Sequence, residues 1–288
     1  MSDETIHTAL LGIATHGNDE IRLSEGLSLV RPNEKLFAHT WDWAQGKGEI
    51  EQEEKASRYL VCSYPSWIRH ENLGSAPERG TNRFYTGLMA IQVIKPIKTL
   101  GFIYRRQQIE RRPPMEPGEW ARSNKFDDPM LAQVPTMIDR IQPVMDGKNV
   151  DHKNALTLLQ LGLENFHPYV AGLLWVMGLE AIFDSGDRHD FKKKLCDCLG
   201  PKTPAFPNWH SKPHAPAYTV EDIAIPLYML RNKLAHGADL RKAASDKSTP
   251  VDLMARVKVV QSSEPTMYAM LLSEAACHLL CQVLQKVL

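Results

Sequence analysis

The segment YMLRNKLAHGADL, residues 228–240, brings an arginine, an asparagine and a histidine together within six positions, directly before a glycine. On a helical wheel of about 100° per residue, one face collects four side chains, which are Tyr228, Arg231, Asn232 and His236. A separate stripe is wholly apolar and consists of Ile223, Leu227, Leu230 and Leu234. The segment therefore predicts the end of an amphipathic helix, which packs its stripe into a bundle and carries a polar face beside it.

Both ends of this helix have their own sequence signals. Thr219 and Asp222 resemble a capping box in which Asp takes the place of Glu, and Gly237 lies where a helix would stop. Pro226 is expected to kink the helix or to restart it, because proline lacks the amide hydrogen that a helix interior requires.

The rest of the second half also has helical periodicity. Residues 151–166 repeat apolar side chains about every 3.6 positions, and residues 168–183 open with Pro168 and are apolar all round, as in a central helix. A shorter helix, HDFKKKLCDCLG, ends at Gly200, and EPTMYAMLLSEAACHLLCQVLQKVL forms one long closing helix. Four or five helices with short connections predict an α-helical bundle over residues 141–288.

The first half has the pattern of strands instead. EIRLSEGLSLVRP, residues 20–32, alternates around Glu25 and Gly26 like a hairpin or two short strands, and SRYLVCSY and FYTGLMAIQVIKPI are also strand-like. The proline-rich stretch from Arg111 to Pro143 predicts a linker or an irregular segment. We therefore expect an α+β protein, in which a mixed region at residues 1–140 precedes the bundle and serves as a sensor or an RNA-positioning module.

Composition narrows the range of partners and compartments. The chain has 34 basic and 34 acidic side chains, so attraction to nucleic acid must come from a local patch. No apolar run reaches the length of a membrane span, and the N-terminus lacks the pattern of a signal peptide, which predicts a cytoplasmic protein with no membrane partner. Five cysteines at no disulfide spacing agree with reduced thiols, and Cys277 and Cys281 are expected in the core.

One basic patch stands out in the first half. Its four arginines are candidates for RNA binding, namely Arg105, Arg106, Arg111 and Arg112. They could follow a phosphate backbone while Tyr104 or Trp120 stacks on bases, and a solvated charged face explains the same residues equally well.

A zinc site is a second candidate, built from Cys196, Cys198, His210 and His214. Two positions on a helix are about 200° apart, so the two thiols would point to opposite sides. The sequence therefore predicts no metal site.

The polar face at residues 228–236 has an ordinary explanation and a functional one. Arg and His are favoured in a last helical turn by the helix dipole, and Gly is a common helix terminator.

RNKLAHG also matches the R-x4-H signature of the HEPN superfamily. Together with LLWVMGLEAIF, FKKKLCDCLG and LYMLRNKLAHG, it resembles the Apea-like HEPN domain over roughly residues 150–288, and the first half lies outside the resemblance.

This resemblance implies a metal-independent endoribonuclease that needs no cofactor and acts as a homodimer with two motif helices around one cleft. It implies Arg231, Asn232 and His236 as catalytic residues. Relatives of this type often serve in phage defence or in toxin systems, so RNA is the implied substrate, and an antitoxin or a regulatory partner is a further expectation.

The side chains suit that chemistry. Histidine transfers protons near neutral pH, and arginine holds the phosphate that gains negative charge when the 2′-hydroxyl attacks it. Asn232 would fix the ring of His236 or bind a phosphate oxygen. Glu180, in the all-apolar helix, is expected either to pair with Arg231 or to face solvent. Tyr228 would stack on a base or serve as an interface aromatic.

A function of a different class is also consistent with the sequence. A non-catalytic HEPN-like dimer could bind RNA, a nucleotide or another protein through the same surfaces. A third alternative is latent activity that is released by a trigger sensed at the first half, in which case deletion of residues 1–140 would raise toxicity.

Overall fold

The computed structural model describes residues 5–11, 20–24, 26–30, 66–72, 77–97, 99–104, 108–110, 127–165, 167–206, 218–236 and 265–288. Backbone contacts divide the chain into two compact units, Met1–Asp146 and Gly147–Leu288. The expected boundary after residue 140 lies within a helix, and the division comes directly after that helix. Strands and helices are both present, so the protein belongs to the α+β class.

The first unit contains a six-stranded antiparallel sheet. In chain order, its strands are β1 (Thr5–Leu11), β2 (Glu20–Ser24), β3 (Leu27–Val30), β4 (Ser66–Asn72), β5 (Thr99–Tyr104) and β6 (Gln108–Glu110). They lie side by side in the order β2-β3-β4-β1-β5-β6. The predicted hairpin is confirmed, because β2 and β3 pair with Ile21 opposite Leu29, and Gly26 turns the chain at a φ of 70°.

Helix α1 (Pro77–Ile94) packs against β4 and corrects one prediction. FYTGLMAIQVIKPI was expected to be strand-like, but its first eleven residues belong to this helix. The apolar residues that favoured a strand also fit a helix buried on most of its surface. Phe84, Leu88 and Ile91 recur at helical spacing and are all buried, so burial hides the difference between the two periods.

Helix α2 (Asp128–Met145) packs against α1 and overturns the linker prediction for residues 128–143. Asp127 caps it by accepting a hydrogen bond from the amide of Met130 at 3.0 Å. Pro135 and Pro143 lie inside the helix, whose buried stripe consists of Val134, Met137, Ile138, Ile141 and Val144. Burial of this stripe outweighs the hydrogen bonds lost at the prolines. Residues 111–126 and SRYLVCSY lie outside the described residues.

The second unit is a helical bundle. Its helices are α3 (Val150–Glu164), α4 (Pro168–Phe183), α5 (Arg188–Leu199), α6 (Val220–Ala235) and α7 (Pro265–Val287). Among the described residues of this unit, the five helices follow the predicted order, so the α-helical bundle is confirmed there, and α5 ends at Gly200 as expected. Among the described residues, no helix combines the length and the apolar character needed to cross a membrane.

Helix α4 is central and sets the position of Glu180. It packs against α3, α5, α6 and α7, and the indole N–H of Trp175 donates to the carbonyl of Leu159 at 3.2 Å. A Cβ atom on Gly162 would collide with that indole, so this glycine permits the close approach of α3 and α4. The expectation of an all-round buried helix is only partly right, because Val170 and Met177 are exposed.

Helix α6 carries the motif face. It begins at Thr219, whose amide donates to the carboxylate of Asp222 at 3.0 Å, so the predicted capping box is confirmed. The helix runs through Pro226 as one element and does not restart there. It ends at Ala235 with His236 as its C-cap residue, and Gly237 lies outside the described residues.

Candidate functional site

An ion pair between α4 and α6 forms the centre of the site. The Nε atom of Arg231 lies 2.8 Å from Oε2 of Glu180, so the expected pairing of these two residues is present. The side chain of Glu180 is 13% exposed and that of Arg231 is 32% exposed. Because the carboxylate is the more deeply buried partner, it anchors the guanidinium and leaves the outer part of that group accessible.

Asn232 binds the same guanidinium from the next position of α6. Nη1 of Arg231 donates to Oδ1 of Asn232 at 2.7 Å. The expectation that Asn232 orients the ring of His236 is therefore not met in this structure. The contact between the two residues is the helical hydrogen bond from the amide of His236 to the carbonyl of Asn232, at 3.1 Å.

Tyr228 supports the site from one turn earlier. Its ring centroid lies 5.8 Å from the guanidinium carbon of Arg231 and 5.6 Å from the ring centroid of Phe191. The ring thus packs between a cation and another aromatic residue. This packing favours a supporting role over base stacking.

His236 stands apart from this network. It is exposed and caps the C-terminal end of α6, five residues and about 7.5 Å of helix axis beyond Arg231. Within the part of the chain that the structure describes, its ring makes no hydrogen bond. The imidazole is therefore accessible at the end of the helix whose interior holds the fixed arginine.

A groove of about 500 Å³ adjoins the ion pair. Asn154, Thr157 and Leu158 line it from α3, and Met177 lines it from α4. Its volume lies within the range of small-ligand sites.

The charged rim of the groove consists of Glu180, Asp184 and Arg231. Burial raises the pKa of Glu180, while the attraction and the hydrogen bond of Arg231 oppose that rise. Two carboxyl groups against one guanidinium make the rim acidic whenever both are ionised.

Asp184 and Ser185 are groove residues that the sequence did not single out. Asp184 follows α4 directly, in the left-handed conformation with φ 45° and ψ 56°. Its amide donates to the carbonyl of Glu180 at 2.7 Å, and its own carbonyl accepts from Nζ of Lys194 at 3.0 Å. The spacing of Glu180 and Asp184, four residues apart, was the available signal, because it places both acids on one side of α4.

A second polar feature runs along α7, where Glu274, His278 and Gln282 repeat every four residues. Nε2 of His278 lies 3.0 Å from the amide nitrogen of Gln282. Burial raises the pKa of Glu274 to about 7 and lowers the pKa of His278 to about 4. Cys277 and Cys281 lie in the core, as expected.

Several predicted residues are not brought to the site. The RNA-binding candidates Arg105, Arg106, Arg111 and Arg112 lie outside the described residues, as do His210 and His214 of the zinc alternative. Cys196 and Cys198 both lie on α5, and burial raises the pKa of both thiols. Among the residues with described positions, no group of three His, Cys, Asp or Glu side chains is arranged to hold a metal ion.

We compared the chain with protein-family models, with curated proteins and with solved structures, and found no match.

Proposed function

We propose that the helical unit is a metal-independent endoribonuclease of the HEPN type, which acts as a homodimer and cleaves RNA through attack of the 2′-hydroxyl. The observation that carries this proposal is the fixed guanidinium of Arg231, with the exposed imidazole of His236 at the end of the same helix. Phosphodiester cleavage by the 2′-oxygen needs a proton carrier and a stabiliser of negative charge, and these two side chains supply both.

The hydrogen bonds of Arg231 leave it ready to bind phosphate. A guanidinium has five N–H donors. One is given to Glu180 and one to Asn232, so three remain without a partner among the described residues. An arginine held on two sides keeps its fork in one orientation, which favours bidentate contact with phosphate oxygens.

The proposed reaction uses one imidazole as base and one as acid. The base takes the proton of the 2′-hydroxyl, and the 2′-oxygen then forms its bond to phosphorus. The bond from phosphorus to the 5′-oxygen breaks, and the acid gives that oxygen a proton. The imidazole of His236 in the second copy is the proposed partner, which is why the dimer is part of the mechanism.

Exposed apolar side chains support the dimer. Among the residues that the structure describes, the exposed large apolar side chains all lie on α3 and α4, and they are Val150, Leu161, Val170 and Met177. Leu161 continues the face of Leu158 by one turn, and Val170 lies two turns before Met177, so the apolar surface extends from the groove. We propose that a second copy packs on Val150, Leu161 and Val170, which lie outside the groove lining, and Leu161→Glu should yield a monomer in light scattering.

Replacement of His236 tests the catalytic proposal. We expect His236→Ala to lower RNA cleavage in the presence of a chelator by a factor of about 10² to 10⁴, because proton transfer is lost. RNA binding and melting temperature should be unchanged, since the side chain is exposed. An oligonucleotide with a 2′-deoxy sugar at the cleaved position should resist the wild type.

His167→Ala is a matched control. His167 is also exposed, but it precedes α4 and lies at the opposite end of that helix from Glu180. This variant should cleave RNA like the wild type. Equal cleavage by His236→Ala and the wild type would assign the activity to a contaminant and leave a binding dimer as the alternative.

A role in phage defence or in a toxin system is the proposed setting for this activity. Expression of the wild type should slow growth of the host cell, while Arg231→Ala should be tolerated. Equal growth with both proteins would contradict a toxic nuclease.

A further inference from the structure

The part of the groove beside Asp184 is badly suited to phosphate, which the proposed mechanism places on the free donors of Arg231. The rim has two carboxyl groups, Glu180 and Asp184, and only the first of them pairs with the guanidinium. A phosphate beside Asp184 would be repelled by its carboxylate, and the described lining has no cation other than Arg231. The ligand that fits the groove is therefore uncharged and rich in hydrogen-bond donors.

The walls of the groove suit a flat ring. Met177 is 39% exposed, and Leu158 faces it from α3. A thioether makes favourable contacts with aromatic rings, and a base laid against Met177 would cover apolar surface that is otherwise exposed to water.

Asp184 provides a fixed acceptor at this ring site. It is the one non-glycine residue with positive φ in the described part of the chain, and its backbone is held by Glu180 and Lys194. Non-glycine residues in this conformation are uncommon and concentrate at functional positions. Its carboxylate has no ion-pair partner among the described residues, and the residue lines the groove.

Ser185, the neighbour of Asp184, is also a groove residue and carries an unsatisfied hydroxyl. Its hydroxyl oxygen is shielded from solvent and has no hydrogen-bond partner among the described residues. A buried hydroxyl is normally hydrogen-bonded, so an unsatisfied one beside a cavity needs an explanation.

We propose that the groove is a base-binding subsite for guanine, in which the Asp184 carboxylate accepts hydrogen bonds from N1–H and N2–H of the base. This inference rests on the proposed ribonuclease function and names the nucleotide that the enzyme selects. A carboxylate only accepts hydrogen bonds, and guanine presents two neighbouring donors on its pairing edge. Adenine and cytosine place an acceptor beside their amino group, and uracil has one donor between two carbonyls.

Nucleotide binding tests the subsite without any cleavage. Guanosine and inosine monophosphates are titrated into the full chain, and saturation-transfer NMR reports binding. Inosine lacks the N2 amino group, so we expect it to bind about tenfold more weakly, in keeping with the discrimination of one bidentate pair. Equal affinity for the two nucleotides, or no binding of either at millimolar concentration, would overturn the subsite.

Asp184→Asn should remove the preference for guanosine monophosphate. Asparagine has the same shape and tolerates the left-handed conformation, but its amide nitrogen cannot accept a hydrogen bond. Met177→Ala should weaken the binding of both nucleotides equally. This result would distinguish the apolar contact of Met177 from the selective hydrogen bonds of Asp184. Asp197→Asn, an exposed carboxylate of α5 outside the groove lining, is the matched control and should keep the preference.

Should Asp184→Asn fail to fold, Asp184→Gly provides a second variant, since glycine adopts positive φ without strain. An unchanged preference in the folded variant would overturn the role of Asp184. Failure of the nuclease proposal is a separate outcome, because a wild type that cuts no RNA could still bind guanosine monophosphate more tightly than inosine monophosphate. If RNA is cut, cleavage should lose its preference for sites beside guanosine in Asp184→Asn and should fall by a factor of about 10² to 10⁴ at all sites in His236→Ala.

Discussion

Two glutamates of the helical unit, Glu180 on α4 and Glu274 on α7, lie on helices that pack together but differ in their surroundings. Burial raises the pKa of both side chains. For Glu180 the guanidinium of Arg231 opposes the rise, whereas burial alone takes the pKa of Glu274 to about 7. The deeper burial of Glu274 and the fixed cation beside Glu180 together separate the pKa values of the two carboxyl groups.

The difference has a functional meaning. Near pH 7 about half of the Glu274 side chains hold a proton, so this residue cannot act as a constant electrostatic anchor. Glu180 can do so, because its ion pair with Arg231 stabilises both charges. The fixed orientation of Arg231 depends on that anchor. Substitutions of Arg231 and of Glu274 test the difference between the two carboxyl groups.

Removal of the cation should make Glu180 behave like Glu274. We expect Arg231→Leu to lower the free energy of unfolding at pH 8 by about 3 kcal/mol, because a buried carboxylate loses its partner. The pKa of Glu180 rises further in this variant, so its folded state holds a proton that the unfolded chain releases. Stability is then lost as pH rises, and urea unfolding should show a much smaller difference at pH 5.

Arg231→Lys is the matched control for this prediction. Lysine keeps the positive charge but has no planar fork, so stability should fall less while RNA cleavage still falls. If Arg231→Leu lowered the free energy of unfolding equally at pH 5 and pH 8, the electrostatic explanation would be wrong and lost packing would be the cause.

Removal of the carboxyl group of Glu274 should stabilise the protein at high pH. We expect Glu274→Gln to raise the free energy of unfolding at pH 8 by about 2 kcal/mol, because a pKa that is raised from 4.5 to about 7 destabilises the folded state at high pH. The wild-type contribution is favourable below pH 4.5 and is lost as pH rises through 7. The gain should therefore be small at pH 5, as measured by urea unfolding.

His278 does not disturb this measurement. Its pKa is lowered to about 4, so its own contribution to stability is lost as pH falls from 6.5 towards 4. At pH 5 and at pH 8 the imidazole is therefore largely uncharged, so it adds little charge next to residue 274 in either protein. A gain of equal size at pH 5 and pH 8 would show that the substitution acts through packing.

The helical unit was predictable because each of its helices has clear local signals. Thr219 and Asp222 mark the start of α6, Gly200 marks the end of α5, and apolar residues recur at the helical period. The prediction of a strand at α1 failed because this helix buries residues on most of its surface. Its apolar pattern therefore resembles that of a buried strand. In α2 the prolines suggested a linker, although a buried stripe holds the helix together.

The site was predictable only in part. Helical spacing placed Arg231 and Asn232 on one face, and the cost of burying a lone carboxyl group suggested Glu180 as a partner. The contact of Asn232 with Arg231 was not predicted, because the one-turn spacing to His236 suggested the imidazole as its protein partner. Asp184 was missed since its role depends on a left-handed turn that shapes the groove.

The smallest predicted effect concerns the ring that packs against the cation. We expect Tyr228→Leu to lower the free energy of unfolding at pH 8 by about 0.5 to 1 kcal/mol, through loss of the cation–π contact and of part of the contact with Phe191. Arg231 keeps its charge and both hydrogen bonds, so the pKa of Glu180, followed by carboxyl NMR, should change little. Tyr228→Phe keeps the ring and should match the wild type. If Tyr228→Leu instead destabilised the protein as much as Arg231→Leu, the ring rather than the carboxylate would be what holds the guanidinium in place.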